Sequence, residues 1–231
     1  MNNVSVIIPA YNEEVFIKDT IDALRIIPGL LEIIIINDGS TDQTSTIAHQ
    51  YADHVIDLSQ NKGKGHALKI GWQAARGEFI ACVDADLGRS AVELKNLIVP
   101  IQDNLADLVI SKVKAGDRAG FGFVKRRAQS IILKYTGVMI EAPLSGQRIF
   151  HRKWLDLVLN EEYNGFGVET KMTIDFLLAG AGVKEVETSM THREMGKSPA
   201  GFMHRLKQWI DIERQLRVIR MRSVRMRVVE K

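Results

Sequence analysis

Apolar and polar residues follow two alternating rhythms along the first half of the chain. Short β-branched runs at 4–8 ("VSVII"), 32–36 ("EIIII"), 54–58 ("HVIDL") and 78–83 ("EFIACV") read as strands buried on both faces. Between them, 13–26, 42–52 and 64–76 carry apolar residues at three- and four-residue spacing, the mark of helices with one buried face. A fifth strand is expected at 107–111, then a Gly-rich loop at 114–123 and a basic helix at 124–137. A strand at 146–152, a helix at 168–179 and a strand at 183–187 follow. Such alternation builds βαβ units, so the expected class is α/β, with a mostly parallel central sheet flanked by helices.

Composition narrows the picture. At 231 residues and 45% hydrophobic content the chain can bury a substantial core and is globular. The single cysteine, Cys82, excludes a disulfide framework and points to a reducing compartment. The opening "MNNVSVIIPA" does not read as a signal peptide, and no apolar run reaches the ~18 to 20 residues of a membrane span. A cytoplasmic protein is therefore expected. The net charge of +3 is unevenly spread: residues 205–231 hold nine Lys/Arg against three Asp/Glu. Positions 202, 206, 209, 212, 216 and 219 form an apolar helical stripe in this basic tail. It reads either as a helix docked on its own core or as one lying peripherally on an anionic membrane face.

Three polar loops fall at strand carboxyl ends, where open parallel sheets bind ligands. They are "PAYNEE" (9–14), "DGSTDQT" (38–44) and "DADL" (84–87). Turn and helix-cap chemistry accounts for any one of them, but does not require all three to share an edge. In "DAD", Asp84 and Asp86 point to opposite sides of an extended chain. One carboxylate can take Mg²⁺ or Mn²⁺ while the other reaches a hydroxyl or a metal-bound water. "NKGKGHALKIG" (61–71) is Gly-rich and basic without P-loop spacing, and Lys64 reads as a phosphate contact or as a solvated lysine in a turn.

In their order and spacing, "VSVIIPAYNEE", "IIINDGSTDQT", "NKGKGHALKIG" and "VDADL" resemble the signature of family 2 glycosyltransferases of the GT-A fold. "SGQRIF" and "HREMGKS" further resemble the polyprenyl-phosphate branch typified by dolichol-phosphate mannose synthase. The resemblance implies a GT-A domain over 1–200, with a nucleotide-binding half at 1–112 and an acceptor-binding half at 113–200, and an appended basic tail at 201–231. It places Pro9, Ala10, Tyr11 and Glu13 along the nucleoside, Asp38 on the base and Lys64 nearby. Asp84 and Ala85 fall on the ribose, and Asp86 on a metal bridging the diphosphate.

Two positions depart from that branch. Gly88 stands where a metal-holding glutamine is usual, which makes His192 a candidate ligand. Ala142 stands where the loop before "SG" usually carries an aspartate. Arg126, Arg127, Ser145, Arg148, Arg193 and Lys197 are candidates for an acceptor phosphate, the arginines through their bidentate forks. Glu169 is a general base if the acceptor is a hydroxyl, and a positioning group if it is a phosphate.

The expected activity is therefore a metal-dependent, inverting hexosyl transfer. The donor is a UDP- or GDP-linked sugar, and the acceptor a lipid phosphate at the cytoplasmic membrane face. The alternative acceptor is a glycan hydroxyl, and no nucleic-acid partner is implied. A nucleotidyltransferase would place a Gly-rich basic loop after the first strand, where this chain has "PAYNEE".

Overall fold

The computed structural model describes residues 3–113, 122–163 and 167–191. A seven-stranded sheet forms its centre, in the order β3-β2-β1-β4-β6-β5-β7. The strands are β1 (Val4–Ala10), β2 (Leu30–Asn37), β3 (His54–Asp57), β4 (Phe79–Cys82), β5 (Leu108–Val113), β6 (Arg148–His151) and β7 (Val183–Thr188). Pairings β1–β2, β1–β4, β2–β3 and β5–β7 are parallel, whereas β6 runs antiparallel to both β4 and β5. The fold is the expected α/β class.

The isoleucine run in β2 shows why these strands need both faces covered. Ile33 and Ile35 enter one core with Val4, Val6 and Ile8, while Ile34 and Ile36 enter the other with Ile7. Side chains alternate across a strand, so a continuous apolar run feeds two layers at once. Helices α1 (Ile17–Arg25) and α4 (Lys95–Gln102) close the first layer through Ile17, Ile21, Leu24 and Leu97. Helices α3 (Lys64–Ala74) and α7 (Val168–Leu178) close the second through Leu68, Trp72, Met172 and Phe176. Each fully buried aliphatic side chain contributes roughly 1.5–3 kcal/mol. Helices α2 (Thr44–Tyr51), α5 (Gly122–Thr136) and α6 (Leu155–Leu159) complete the set described.

Two boundaries differ from expectation for identifiable reasons. Helix α1 begins at Ile17 rather than near residue 13, and in the turn before it the amides of Glu13 and Glu14 donate to Thr44 Oγ1 and Asp42 Oδ2. Strand β3 is not buried on both faces: His54 and Asp57 are exposed, since β3 is an edge strand with β2 as its neighbour. The basic tail from 201, together with His192, Arg193 and Lys197, lies outside the described residues, as does most of the Gly-rich loop.

Candidate active site

β1 leads to β2 on one side, while β4 lies parallel on its other side, so the order in which strands are added reverses between β1 and β4. Loops at the carboxyl ends of those strands splay apart at such a point and leave a crevice. "PAYNEE" follows β1, "DGSTDQT" follows β2 and "DAD" follows β4, and the structure brings all three together.

The first two loops hold each other. Asn12 donates its amide to Ser40 Oγ (3.0 Å) and accepts from the Thr41 amide through Oδ1 (2.8 Å). Glu13 donates its amide to Thr44 Oγ1 (2.8 Å), and the Gln43 amide donates to Glu14 Oε2 (2.9 Å). Much of "DGSTDQT" is thus scaffold for the β1 loop. Gly39 is required there: its φ is +72°, and a Cβ would sit 2.7 Å from the backbone of Gln60 and Asn61. Asp38 is 3% exposed, and its two oxygens accept from the amides of Lys62 and Gly63, both at 2.8 Å. Its carboxylate ties β2 to the loop that opens α3. Pro9 is half-buried, Ala10 is buried, and Tyr11 presents its ring 46% exposed at the end of β1.

The centre of the site is an ammonium between two carboxylates. Lys64 Nζ lies 2.6 Å from Asp84 Oδ1 and 2.7 Å from Glu169 Oε1. Gly63, with φ +91°, precedes Lys64 at the start of α3, while Glu169 occupies the first turn of α7. Burial pulls the Lys64 pKa down, but the charges and hydrogen bonds of Asp84 and Glu169 outweigh it and leave the pKa raised. The ammonium is held charged. The other oxygen of Asp84 accepts from Gln147 Nε2 at 2.8 Å, and Gln147 is fully buried. Gly146 lets this cluster close, because a Cβ there would meet Asp84 Oδ2 at 2.5 Å and Lys64 Nζ at 2.6 Å.

Asp86 and its neighbours are set from beneath. Thr20 on α1 is fully buried, donates its hydroxyl to the Ala85 carbonyl (2.8 Å) and accepts from the Gly88 amide (2.8 Å). Gly88 adopts φ +51° there. This clamp buries Ala85 and leaves Asp86 partly exposed at the edge. Among the described residues no three His, Cys, Asp or Glu side chains converge closely enough to hold a metal ion. Asp86 nevertheless fits the role of a single carboxylate ligand, since Mg²⁺ commonly takes one or two carboxylates and completes its shell with substrate phosphates and water.

The acceptor-side candidates divide. Ser145 is half-buried beside Gln147, with its Oγ 3.3 Å from Gln147 Oε1. Arg126 is exposed on α5 and Arg127 half-buried. Arg148 is 2% exposed, and its guanidinium donates to the carbonyls of Ser145 and Glu169 and to Thr173 Oγ1. Arg148, expected beside an acceptor phosphate, starts an interior strand, and its guanidinium braces the 145 loop against α7. Ala142, in place of the usual aspartate, donates its amide to Glu185 Oε1 at 2.6 Å. Cys82, buried against Trp72 Nε1 at 3.3 Å, has its thiol pushed up to about 11 by burial and takes no part in the site.

Sequence reasoning passed over Gln147 and Thr20. The glutamine sits inside the quoted "SGQRIF" next to a glycine at a strand start, which was the available signal. Nothing local marked Thr20.

Comparisons with known proteins identify the family and the fold. Residues 5–163 match the family model for glycosyl transferase family 2. Over 222 residues the chain is 24% identical to the undecaprenyl-phosphate 4-deoxy-4-formamido-L-arabinose transferase of Shewanella sediminis, covering 90% of this chain and 65% of that protein. The corresponding Proteus mirabilis transferase is 25% identical over 226 residues, covering 92% of this chain and 67% of that one. The chain thus spans about two thirds of the length of these relatives. The crystal structure of Mycobacterium tuberculosis glucosyl-3-phosphoglycerate synthase with Mn²⁺, UDP-glucose and phosphoglyceric acid superposes with a TM-score of 0.72. It is 26% identical, covering 91% of this chain and 78% of that one. With an acidic loop at the switch point and a family model spanning more than half its length, the chain belongs to glycosyl transferase family 2 and has the GT-A fold.

Proposed function

We propose that this enzyme transfers a hexose, with inversion, from a UDP- or GDP-linked donor to a polyprenyl phosphate at the membrane face. The observation that carries the reading is the Asp84–Lys64–Glu169 bridge at the switch point. Glu169 is engaged by an ammonium, which suits an acceptor that needs no base. A phosphate acceptor is already an anion: its oxygen forms the new bond to the anomeric carbon as the bond to the donor diphosphate breaks, and no proton moves. The names of the distant relatives, which include undecaprenyl-phosphate transferases, favour the same acceptor class.

In this reading Tyr11 packs on the base, with Pro9, Ala10 and Glu13 along the nucleoside. Asp38 shapes the base site through the 62–63 amides, and each of its oxygens keeps a lone pair for the ring N–H of uracil or guanine. Asp84 and Ala85 meet the ribose, and the ammonium of Lys64 adds positive charge nearby. Asp86, with His192 as the candidate second ligand, would hold Mg²⁺ or Mn²⁺, which would supply positive charge opposite the diphosphate leaving group. Arg126, Arg127, Ser145, Arg193 and Lys197 remain the acceptor-side candidates, and Arg148 serves as a brace.

A second reading rests on the fold match to glucosyl-3-phosphoglycerate synthase, whose structure holds phosphoglyceric acid. There the acceptor is a hydroxyl of a soluble or glycan molecule, and Glu169 must leave Lys64 to take its proton. Transfer assays with UDP- and GDP-sugars, with and without Mn²⁺, on polyprenyl phosphate and on soluble acceptors separate the two. Asp86→Ala is expected to abolish turnover without unfolding the protein. Glu169→Gln is expected to cost little with a phosphate acceptor. A loss of ~10²- to 10⁴-fold at Glu169 with a soluble acceptor would establish the base and sink the lipid-phosphate reading.

A further inference from the structure

The segment between β5 and β6 leaves and re-enters the sheet at the edge that carries the acidic loop. Arg148, the first residue of β6, pairs with both Cys82 at the end of β4 and Ile110 on β5. Helix α5 packs against α7, the helix whose first turn carries Glu169. The inner face of α5 is ordinary core: Val124, Ala128, Ile131 and Ile132 are buried, and Ile140 and Ile174 join their cluster. The outer face is not ordinary surface. Phe123 is 73% exposed and Leu133 41%, and Val138 (40%) and Met139 (56%) follow in the turn. Lys125, Arg126 and Lys134 are exposed among them. Residues 122–140 hold four Lys/Arg and no Asp/Glu, which leaves the remainder of this +3 chain at −1.

We infer that the outer face of α5, continued through Met139, is a docking surface for an anionic lipid bilayer. Charge and apolarity are both needed for the choice. A nucleic acid or an acidic protein would satisfy the cations but leave four large apolar side chains in water. A bilayer interface takes both: apolar tips enter below the headgroups, while Lys and Arg stay level with the lipid phosphates. The helix has no length to span a membrane and is anchored by its buried face, so it lies in the interface plane. The surface rests on the lipid-acceptor reading for its purpose, since it would bring the site to a membrane-embedded substrate, but its binding is a separate observable.

The test uses the purified full chain and sedimentation with vesicles of phosphatidylcholine alone or with phosphatidylglycerol, all lacking polyprenyl phosphate. Wild type is expected to bind the phosphatidylglycerol vesicles and not the neutral ones. Two exposed-face variants, Phe123→Ser/Leu133→Ser and Lys125→Glu/Lys134→Glu, should each weaken that binding about tenfold or more, with unchanged thermal melting. Binding by both variants like wild type, or no binding by wild type, overturns the assignment. Loss in the charge variant alone, with heparin competing, would make the face a polyanion surface and overturn the bilayer. Vesicle binding without transfer to polyprenyl phosphate would sink the proposed acceptor and leave the docking surface standing.

Discussion

Replacing Lys64 with methionine keeps most of the side-chain volume and deletes the charge between Asp84 and Glu169. The three side chains retain 29%, 22% and 10% of their surface, so the bridge is largely screened from water. Direct Coulomb attraction at such contacts is about 6 kcal/mol each at an effective dielectric of ~20, before desolvation is subtracted. Removing one partner of a buried pair typically costs ~3–5 kcal/mol, and the remaining exposure favours the lower end. A loss of about 3 kcal/mol lowers Tm by roughly 6–12 °C in a domain of this size. The pH dependence adds a second check. Because the Lys64 pKa is raised, its stabilisation is complete below the unfolded value of ~10.4 and lost only as pH rises through the folded value. The lysine's stabilisation of wild type should therefore be constant, with no pH dependence, between about pH 6 and 9. In the methionine variant the two carboxylates face each other without a cation, which favours a retained proton. The deficit should be largest near pH 7.5 and shrink toward about pH 5. Urea unfolding followed by tryptophan fluorescence at both pH values measures it. A variant within about 0.5 kcal/mol of wild type at pH 7.5, or a deficit that grows on acidification, would refute the reasoning. Adding Glu169→Gln should restore part of the loss, and a double-mutant cycle gives the coupling.

Three further outcomes follow from the same contacts. Gly146→Ala should lower turnover far more than stability, because its Cβ would meet Asp84 Oδ2 at 2.5 Å; steady-state kinetics beside a thermal melt separates the two. Thr20→Val leaves the Ala85 carbonyl and the Gly88 amide without their buried partner and should cost ~1–3 kcal/mol in urea unfolding, with weaker nucleotide binding by calorimetry. Glu32, whose side chain is 1% exposed, accepts from Ser5 Oγ and from Arg76, and these bonds outweigh the upward push of burial to hold its pKa below the ordinary value. Its stabilisation is present above ~4.3 and lost as pH falls through the folded pKa, so Glu32→Gln should flatten the acid side of a stability–pH profile.

Local pattern determined the elements and their order. A run such as "EIIII", short, β-branched and bounded by turn residues, reads as a strand buried on both faces, and βαβ connectivity carries each following polar loop to the carboxyl edge. Hence the three loops, and Asp84 and Asp86 among their residues, were legible before any coordinates. Which groups pair at that edge was not. Glu169 is 105 residues from Lys64, and Gln147 is 63 from Asp84. Their meeting depends on the antiparallel register of β6, where Arg148 faces Cys82 and so sets Gln147 beside the loop after β4. The same register buries Arg148 in an interior strand, a placement that its charge in the sequence does not report. Asp38 was likewise legible as an acid at a strand end, while its use in holding two backbone amides came from the approach of the 60–63 loop. Periodicity reports which face of an element leaves water; pairing between distant side chains is decided by the distances that packing leaves between elements.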